Sequence, residues 1–238
     1  MKTISYSLAD GIATITFDEP NSPVNTMCLQ WQEDMDAVAA RVLQDKDSIT
    51  GILLASAKST FFAGADLKAA MRLTPADAPR IFEEIERVKR NFRTIETLGK
   101  PVVSLLNGTA LGGGWEVALV GHYRIAIDDR KTQFGLPEVT LGLPPAQIAP
   151  FVWQRLGDRA ARQCLLSGQH FSAAEAHRLG LVHEVVDADA LDAQVAALTE
   201  AMNETTKAIE ALEIRTEFHG AEILALKRRS FWTWLTGR

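Results

Sequence analysis

Pro101-Val102-Val103-Ser104-Leu105-Leu106-Asn107-Gly108-Thr109-Ala110-Leu111-Gly112-Gly113-Gly114-Trp115-Glu116 is the stretch on which the reading of this chain turns. Its first six residues form a short, nearly continuous apolar run, the pattern of a strand buried on both faces. Asn107-Gly108 then breaks the run. Three consecutive glycines lead into a helix whose first turn carries Glu116. A helix N-terminus offers N–H groups without intrahelical acceptors and a partial positive charge, a setting that stabilises a developing oxyanion. A glycine cluster before a helix is equally well explained by tight packing, and these residues alone leave both readings open.

Outward from this stretch the pattern alternates. Residues 2–17 read as two short strands broken at Asp10-Gly11, a strong hairpin dipeptide. Glu19 to Pro23 is a turn. Met27, Trp31, Met35, Val38 and Val42 recur at helical spacing over 27–44. Gly51 to Ser56 suits a second buried strand. A long helix is predicted over 75–97, capped by Thr74 with Pro75 in its first turn, and with Ile81, Ile85, Val88, Phe92 and Ile95 on its face. Beyond Glu116, Tyr123 to Ile127 and Thr132 to Phe134 read as a strand pair around Asp128-Asp129. After residue 145 the pattern is helical almost to the end. The expected fold class is α/β with a C-terminal helical region, divided into residues 1–190 and 191–238. No internal repeat, low-complexity tract or flexible linker interrupts it.

Composition sets the outer limits. The 238 residues are 47% hydrophobic and 23% charged, ordinary globular values that leave disorder and fibrous classes behind. With 25 basic and 30 acidic residues, the net charge of -5 argues against nucleic acid as the main partner. Cys28 and Cys164 are far apart and are expected to be reduced, buried and small rather than a disulfide. No zinc-like spacing occurs, and His122, His170, His177, His183 and His219 lack ligand spacing with acidic partners. The start of the chain lacks an apolar signal core, and no apolar run reaches the ~18 residues of a membrane span. A cytoplasmic, metal-free protein is the expectation.

Two further features carry chemistry. In Phe61-Phe62-Ala63-Gly64-Ala65-Asp66-Leu67-Lys68, small residues let a ligand approach the backbone, and Asp66 can cap the next helix. Glu116 and Glu138, the latter after Gly135-Leu136-Pro137 at an expected strand end, can share a cleft if the segment between them folds back. Each has a plainer reading: a carboxylate near a helix N-terminus complements the dipole by ~0.3–1 kcal/mol, and Glu138 alone can be a solvated surface residue. Together the features suit one reaction. When water adds at C3 of an α,β-unsaturated thioester, the carbonyl oxygen gains enolate charge that two N–H donors can hold. Two carboxyl groups can take the proton from water and supply one to C2. Desolvation or like-charge coupling must then raise at least one above the ~4.3 of free glutamate.

At these residues the chain resembles the enoyl-CoA hydratase/isomerase (crotonase) family. The matching segments are Phe62 to Leu67, Lys100-Pro101-Val102, Asn107 to Glu116, Phe134 to Gly142, and Ser167-Gly168-Gln169-His170-Phe171-Ser172-Ala173-Ala174-Glu175-Ala176 through Gly180-Leu181-Val182. They cover about residues 3–200. The resemblance implies a crotonase-like spiral of ββα units over 1–190 and a helical oligomerisation region over 191–238 that packs trimers, often paired into hexamers. It implies coenzyme A thioesters as substrates, with coenzyme A entering only as part of the substrate and no separate cofactor. Carried over by position, the oxyanion donors are the N–H groups of Ala65 and Gly113, Glu116 holds and activates water, and Glu138 delivers the proton to C2. Ala63, Asp66, Leu67, Gly112, Pro137 and Pro145 are the expected substrate-binding positions. Retention of both glutamates points to a hydratase, since isomerases of the family commonly keep only the second.

Two departures stand out. Where many hydratases have a glycine-rich loop ending in Thr-Gln-Arg, this chain has Pro144-Pro145-Ala146-Gln147-Ile148-Ala149-Pro150-Phe151-Val152, which looks more like the hydratases of branched glutaconyl-CoA substrates. Prolines there stiffen the loop beside Glu138. Residues 203–238 are compressed relative to the family's usual ending, although Lys227-Arg228-Arg229 and Trp232 resemble it. Competing readings are a Δ3,Δ2-enoyl-CoA isomerase and a non-catalytic or RNA-binding crotonase-fold protein. Lys58, Lys68 and the 227–229 run are surface charges in one view and phosphate contacts in the other.

Overall fold

The computed structural model describes residues 1–144 and 152–215. The chain divides into one unit over residues 1–191 and a second over 192–238.

The first unit begins with the hairpin of β1 (Ile4–Ala9) and β2 (Ile12–Phe17), antiparallel with Ala9 opposite Ile12. Asp10 and Gly11 take φ of 49° and 81°, the positive values that a two-residue turn matching strand twist demands. From β2 the chain climbs one sheet in sequence order. Helix α1 (Leu29–Gln44) leads to β3 (Gly51–Ser56). Then α2 (Leu67–Ala70) and α3 (Ala78–Glu96) lead to β4 (Val102–Leu106). Next come β5 (Ala110–Leu111), α4 (Gly113–Val120), β6 (Tyr123–Ile127) and β7 (Phe134–Gly135). Beyond them lie α5 (Val152–Ser167), β8 (His170–Phe171), α6 (Ala173–Arg178) and β9 (Glu184–Val186). The main sheet has the order β1-β2-β3-β4-β6-β9, parallel from β2 onward. A smaller sheet joins β5, β7 and β8, and Phe62 bridges to Ala110 beside it. From β4 to β9 the chain alternates between the main sheet and the smaller one, making the expected α/β spiral.

The apolar runs behave as the sequence suggests. All five residues of β4 are buried, as are Gly51 to Leu54 of β3, because helices and neighbouring strands cover both faces. On α1, Trp31, Met35, Val38 and Val42 are buried. Helix α3 starts later than predicted. Residues 75–77 form a single 3-10 turn in which the Asp77 carboxylate accepts from the Thr74 N–H (2.9 Å) and hydroxyl (2.8 Å). An edge-to-face cluster of Phe17, Phe61, Phe62, Trp31 and Phe92 ties β2, α1 and α3 to the loop after β3, with centroids 5.4–6.2 Å apart.

Two expectations are corrected. Residues 123–127 and 132–134 are not a strand pair: β6 lies between β4 and β9 in the main sheet, while β7 pairs with β5 and β8 in the other. The parallel partner supplied by β4 outcompetes the local hairpin. The region after 145 is also not purely helical. β8 and β9 are two and three residues long, too short to show a period of two, and Gly157 (φ 72°) breaks α5. In the second unit, α7 (Leu191–Arg215) carries buried Leu198 and Met202. No helix among the described residues is long and apolar enough to cross a membrane.

Asp34 on α1 is only 4% exposed and holds the start of the chain, accepting from the N–H groups of Lys2 (2.7 Å) and Thr3 (2.6 Å) and from the Thr3 hydroxyl (2.9 Å). Burial alone would raise its pKa, but these hydrogen bonds outweigh burial and hold the carboxyl below its ordinary value. With the lower pKa in the folded state, the stabilisation is complete above the unfolded value and disappears as pH falls through the folded one. Asp34→Asn is therefore expected to lower Tm at neutral pH, with the gap to wild type closing below about pH 4. Thermal melts from pH 7 down to 3 test this, and a gap independent of pH would count against the charged carboxylate as the source.

Candidate active site

The site is assembled where the loop after β3 meets the N-terminus of α4. Phe61 and Phe62 are fully buried in the aromatic cluster and anchor the loop. Residues 63–66 then run across the glycines of α4. A Cβ on Gly114 would overlap the Phe62 carbonyl oxygen, and one on Gly64 would stand 2.7 Å from Leu111 O and 3.3 Å from Gly113 N. The close approach therefore requires glycine on both sides, and Gly64 also has φ +97°.

Hydrogen bonds to two carbonyls aim two N–H groups. The Gly64 carbonyl accepts from the Met27 N–H at 2.9 Å. In a trans peptide the C=O and the following N–H point oppositely, so the Ala65 N–H faces away from Met27. The Gly112 carbonyl accepts from the N–H groups of Trp115 (2.9 Å) and Glu116 (3.1 Å) inside the helix. The Gly113 N–H of the same peptide therefore points out of the helix N-terminus. Neither N–H has an acceptor among the described residues. Both residues line one cleft of about 820 Å³.

The same cleft is lined by Glu116 and Glu138. Glu116 is 2% exposed in the first turn of α4. Glu138 lies in a single 3-10 turn over Pro137–Leu141, not at the strand end expected, because Pro137 halts the strand that ends at Gly135. Gly112 (φ +56°) makes room for the carboxylate: a Cβ there would be 2.9 Å from Glu138 Oε1. Glu138 Oε2 is buried without a hydrogen-bond partner among the described residues. Burial pushes the Glu138 pKa above its ordinary value, against the smaller opposing effect of its own N–H. A carboxyl so placed holds its proton at higher pH, as a proton donor needs.

Of the other expected positions, Ala63, Asp66, Leu67, Gly112 and Pro137 line the cleft. Asp66 also caps α2, accepting from the Lys68 and Ala69 N–H groups at 3.0 and 3.1 Å. Pro145 lies outside the described residues, as do His219 and Lys227 to Arg229. Lys58 pairs with Asp18 at 2.7 Å, and Lys68 is exposed. The described histidines serve the fold: His122 and His183 accept from the N–H groups of Val102 and Arg124, while His177 and His170 contact Val182 O and the Gln133 side chain. Cys28 and Cys164 are free thiols. Cys28 lines the cleft, but burial raises its pKa, which argues against a nucleophilic thiolate.

Residues 7–226 match the model of a family described as enoyl-CoA hydratase/isomerase. The chain belongs to that family. It is 37% identical over 180 residues, 74% of its length, to the fatty acid oxidation complex subunit alpha of Shewanella baltica, and 35% identical over 179 residues to that of another Shewanella strain. The aligned region is 25% of each of those proteins, so this chain spans about a quarter of their length. Among solved structures, Pseudomonas aeruginosa AtuE is 33% identical with a TM-score of 0.75, covering 99% of this chain and 92% of that one. An enoyl-CoA hydratase/isomerase from Marinobacter aquaeolei is 28% identical with a TM-score of 0.73, covering 100% and 93%.

Two parts of this candidate site are not signalled by the local sequence pattern. Met27 was read as helix face, yet it precedes α1; its N–H orients the Gly64 peptide and its thioether lies against Gly113, where a Cβ would be 2.8 Å from Sδ. Ile81, Ile85 and Val88, expected on the apolar face of α3, also line the cleft.

Gly112→Ala tests the seating of Glu138. The new methyl meets Oε1 and the backbone is strained at positive φ. A displacement of about 1 Å costs on the order of 10²-fold in rate, so kcat on an enoyl-CoA should fall by about that factor in a protein that still folds by circular dichroism. An unchanged kcat would show that Glu138 need not occupy this seat.

Proposed function

We propose that this chain adds water across the C2=C3 bond of an enoyl-CoA thioester, or removes it in reverse. The observation that carries this reading is the convergence of two carboxylates and two outward-aimed N–H groups on one cleft. The thioester oxygen sits between the N–H groups of Ala65 and Gly113. Glu116 takes a proton from water as its oxygen bonds to C3, and the resulting enolate charge rests on the two N–H donors. Glu138 in its protonated form, which burial favours, gives its proton to C2. Solvent then restores both carboxyls to their starting protonation states.

Within that reaction we assign a branched glutaconyl-CoA as substrate. The support is the sequence of the 144–152 loop and a cationic residue on the cleft wall. A glutaconyl chain carries a second carboxylate that two catalytic glutamates would repel. Arg72 lines the cleft, is exposed and has no ion-pair partner among the described residues. Arg80, by contrast, is held by Asp77 (3.1 Å) and Glu84 (2.6 Å).

Loss of enoyl-thioester absorbance on crotonyl-CoA and 3-methylglutaconyl-CoA tests both levels. Glu116→Gln and Glu138→Gln should each reduce hydration by about 10²–10⁴-fold. Activity that needs Glu138 but not Glu116, with double-bond migration instead of hydration, would replace this reading by isomerisation. Arg72→Ala should raise KM for 3-methylglutaconyl-CoA and leave crotonyl-CoA unaffected; a strong preference of the wild type for crotonyl-CoA would remove the branched substrate.

The pH dependence has a defined sign. Glu138 acts in its protonated form, so kcat/KM should fall on the alkaline side as that proton is lost. The midpoint should lie above an ordinary glutamate because the folded pKa is raised. The alkaline limb is expected to disappear from the residual activity of Glu138→Gln. Its persistence there would assign it to another group.

A further inference from the structure

We propose that Asn25 is a positioning residue that holds the Ala65 N–H in its catalytic orientation; the proposal rests on the hydration reading above. Gly64, whose peptide carries that N–H, has no side chain of its own and sits at φ +97°. A residue so free needs an outside reference to fix the plane of its peptide. The segment 25–27 supplies one.

Asn25 is 2% exposed, and its amide is fully engaged. Nδ2 donates to Ser56 Oγ at 2.9 Å, Phe61 O at 3.1 Å and Phe17 O at 3.3 Å. Oδ1 accepts from the Glu19 N–H at 3.0 Å. Its own carbonyl accepts from the Ala63 N–H at 2.9 Å, and two residues on, the Met27 N–H donates to Gly64 O at 2.9 Å. Ser56 extends the same network, donating to Thr60 O at 2.7 Å and accepting from the Lys58 N–H at 3.0 Å. One buried amide therefore references the ends of β2 and β3, the turn between Ser56 and Thr60, and the loop that bears the donor. The amide holds Phe61 O, three residues before Gly64, and the main-chain carbonyl of Asn25 holds the Ala63 N–H next to it, so loss of the amide loosens the segment that leads into the Gly64–Ala65 peptide.

A buried Asn with only a structural role would lower stability and leave the bound substrate's electronic state untouched. A positioning role changes that state. Cinnamoyl-CoA is a conjugated thioester whose absorbance moves to longer wavelength when hydrogen bonds polarise its carbonyl. The experiment measures this shift at saturation, with kcat and KM for hydration and Tm, in wild type and Asn25→Ala. The expected result is a lower Tm, a nearly unchanged KM, a kcat reduced by at least about tenfold, and a smaller shift. That loss is less than the 10²–10³-fold that follows outright removal of an oxyanion donor. If Asn25→Ala does not fold, Ser56→Ala removes one acceptor of the same amide and should show the same signature in weaker form. A folded variant with wild-type kcat and the full shift overturns the positioning role alone. A wild type that binds cinnamoyl-CoA with no shift overturns the oxyanion reading, and this proposal with it.

Discussion

Everything at this site depends on the missing side chains at the start of α4. A helix N-terminus is useful to a reacting carbonyl only if the substrate and the opposing loop can reach its N–H groups. Gly114 lets the Phe62 carbonyl come into contact, Gly113 makes room for the Met27 thioether, and Gly112 makes room for the Glu138 carboxylate. A methyl at any of the three would displace a different component. The missing Cβ atoms thus leave room for the helix N-terminus, the loop and the Glu138 carboxylate to meet. The buried strand β4 and the buried first four residues of β3 support this arrangement, because the segments leading to the loop and the helix follow them in the chain.

Rigidity comes from main-chain hydrogen bonds, which is why the donors can be aimed without side chains. Each donor N–H shares a planar peptide with a carbonyl that is already occupied, one by Met27 and one by the first turn of α4. The two arrangements are unequal. The Gly112 carbonyl is held by the helix itself, whose bonds reinforce one another along its length. The Gly64 carbonyl is held by a single N–H from a segment remote in sequence. The loop bearing Ala65 is therefore the softer half of the pair, and the aromatic anchors Phe61 and Phe62 together with the Asn25 amide compensate for it.

Much of this was legible in the residues. The Asp10-Gly11 turn, the buried runs of β3 and β4, and the glycines ahead of Glu116 each follow from local rules, and the structure repeats them nearly residue for residue. Errors arose where tertiary partners override local pattern. Residues 123–127 and 132–134 read as a strand pair because they are adjacent in sequence, but β6 and β7 find partners in different sheets. β8 and β9 are too short to carry a period. Met27 fitted a helical face although the helix starts two residues later, since its N–H is taken by Gly64. The pairing of Glu116 with Glu138 was the least legible feature. Spacing could only permit it, and the packing of Glu138 against Gly112 places both in one cleft.

The two carboxylates also differ in kind. Glu116 is rooted in a helix and almost wholly enclosed, so its position is set by the same backbone that aims the Gly113 N–H. Glu138 is carried by a single turn between Pro137 and Gly142, with one oxygen buried and without a partner among the described residues. An unsatisfied buried carboxylate oxygen is costly in a structure that otherwise pairs its polar groups. Protonation relieves part of that cost, which is the physical content of its raised pKa. Burial of the carboxyl, only partly offset by its own N–H, is what holds the Glu138 pKa up. Adding a donor to satisfy the oxygen would stabilise the ionised form and weaken the acid. The fold keeps this residue under-solvated, and under the proposed hydration this uneven treatment of two identical side chains would separate their roles.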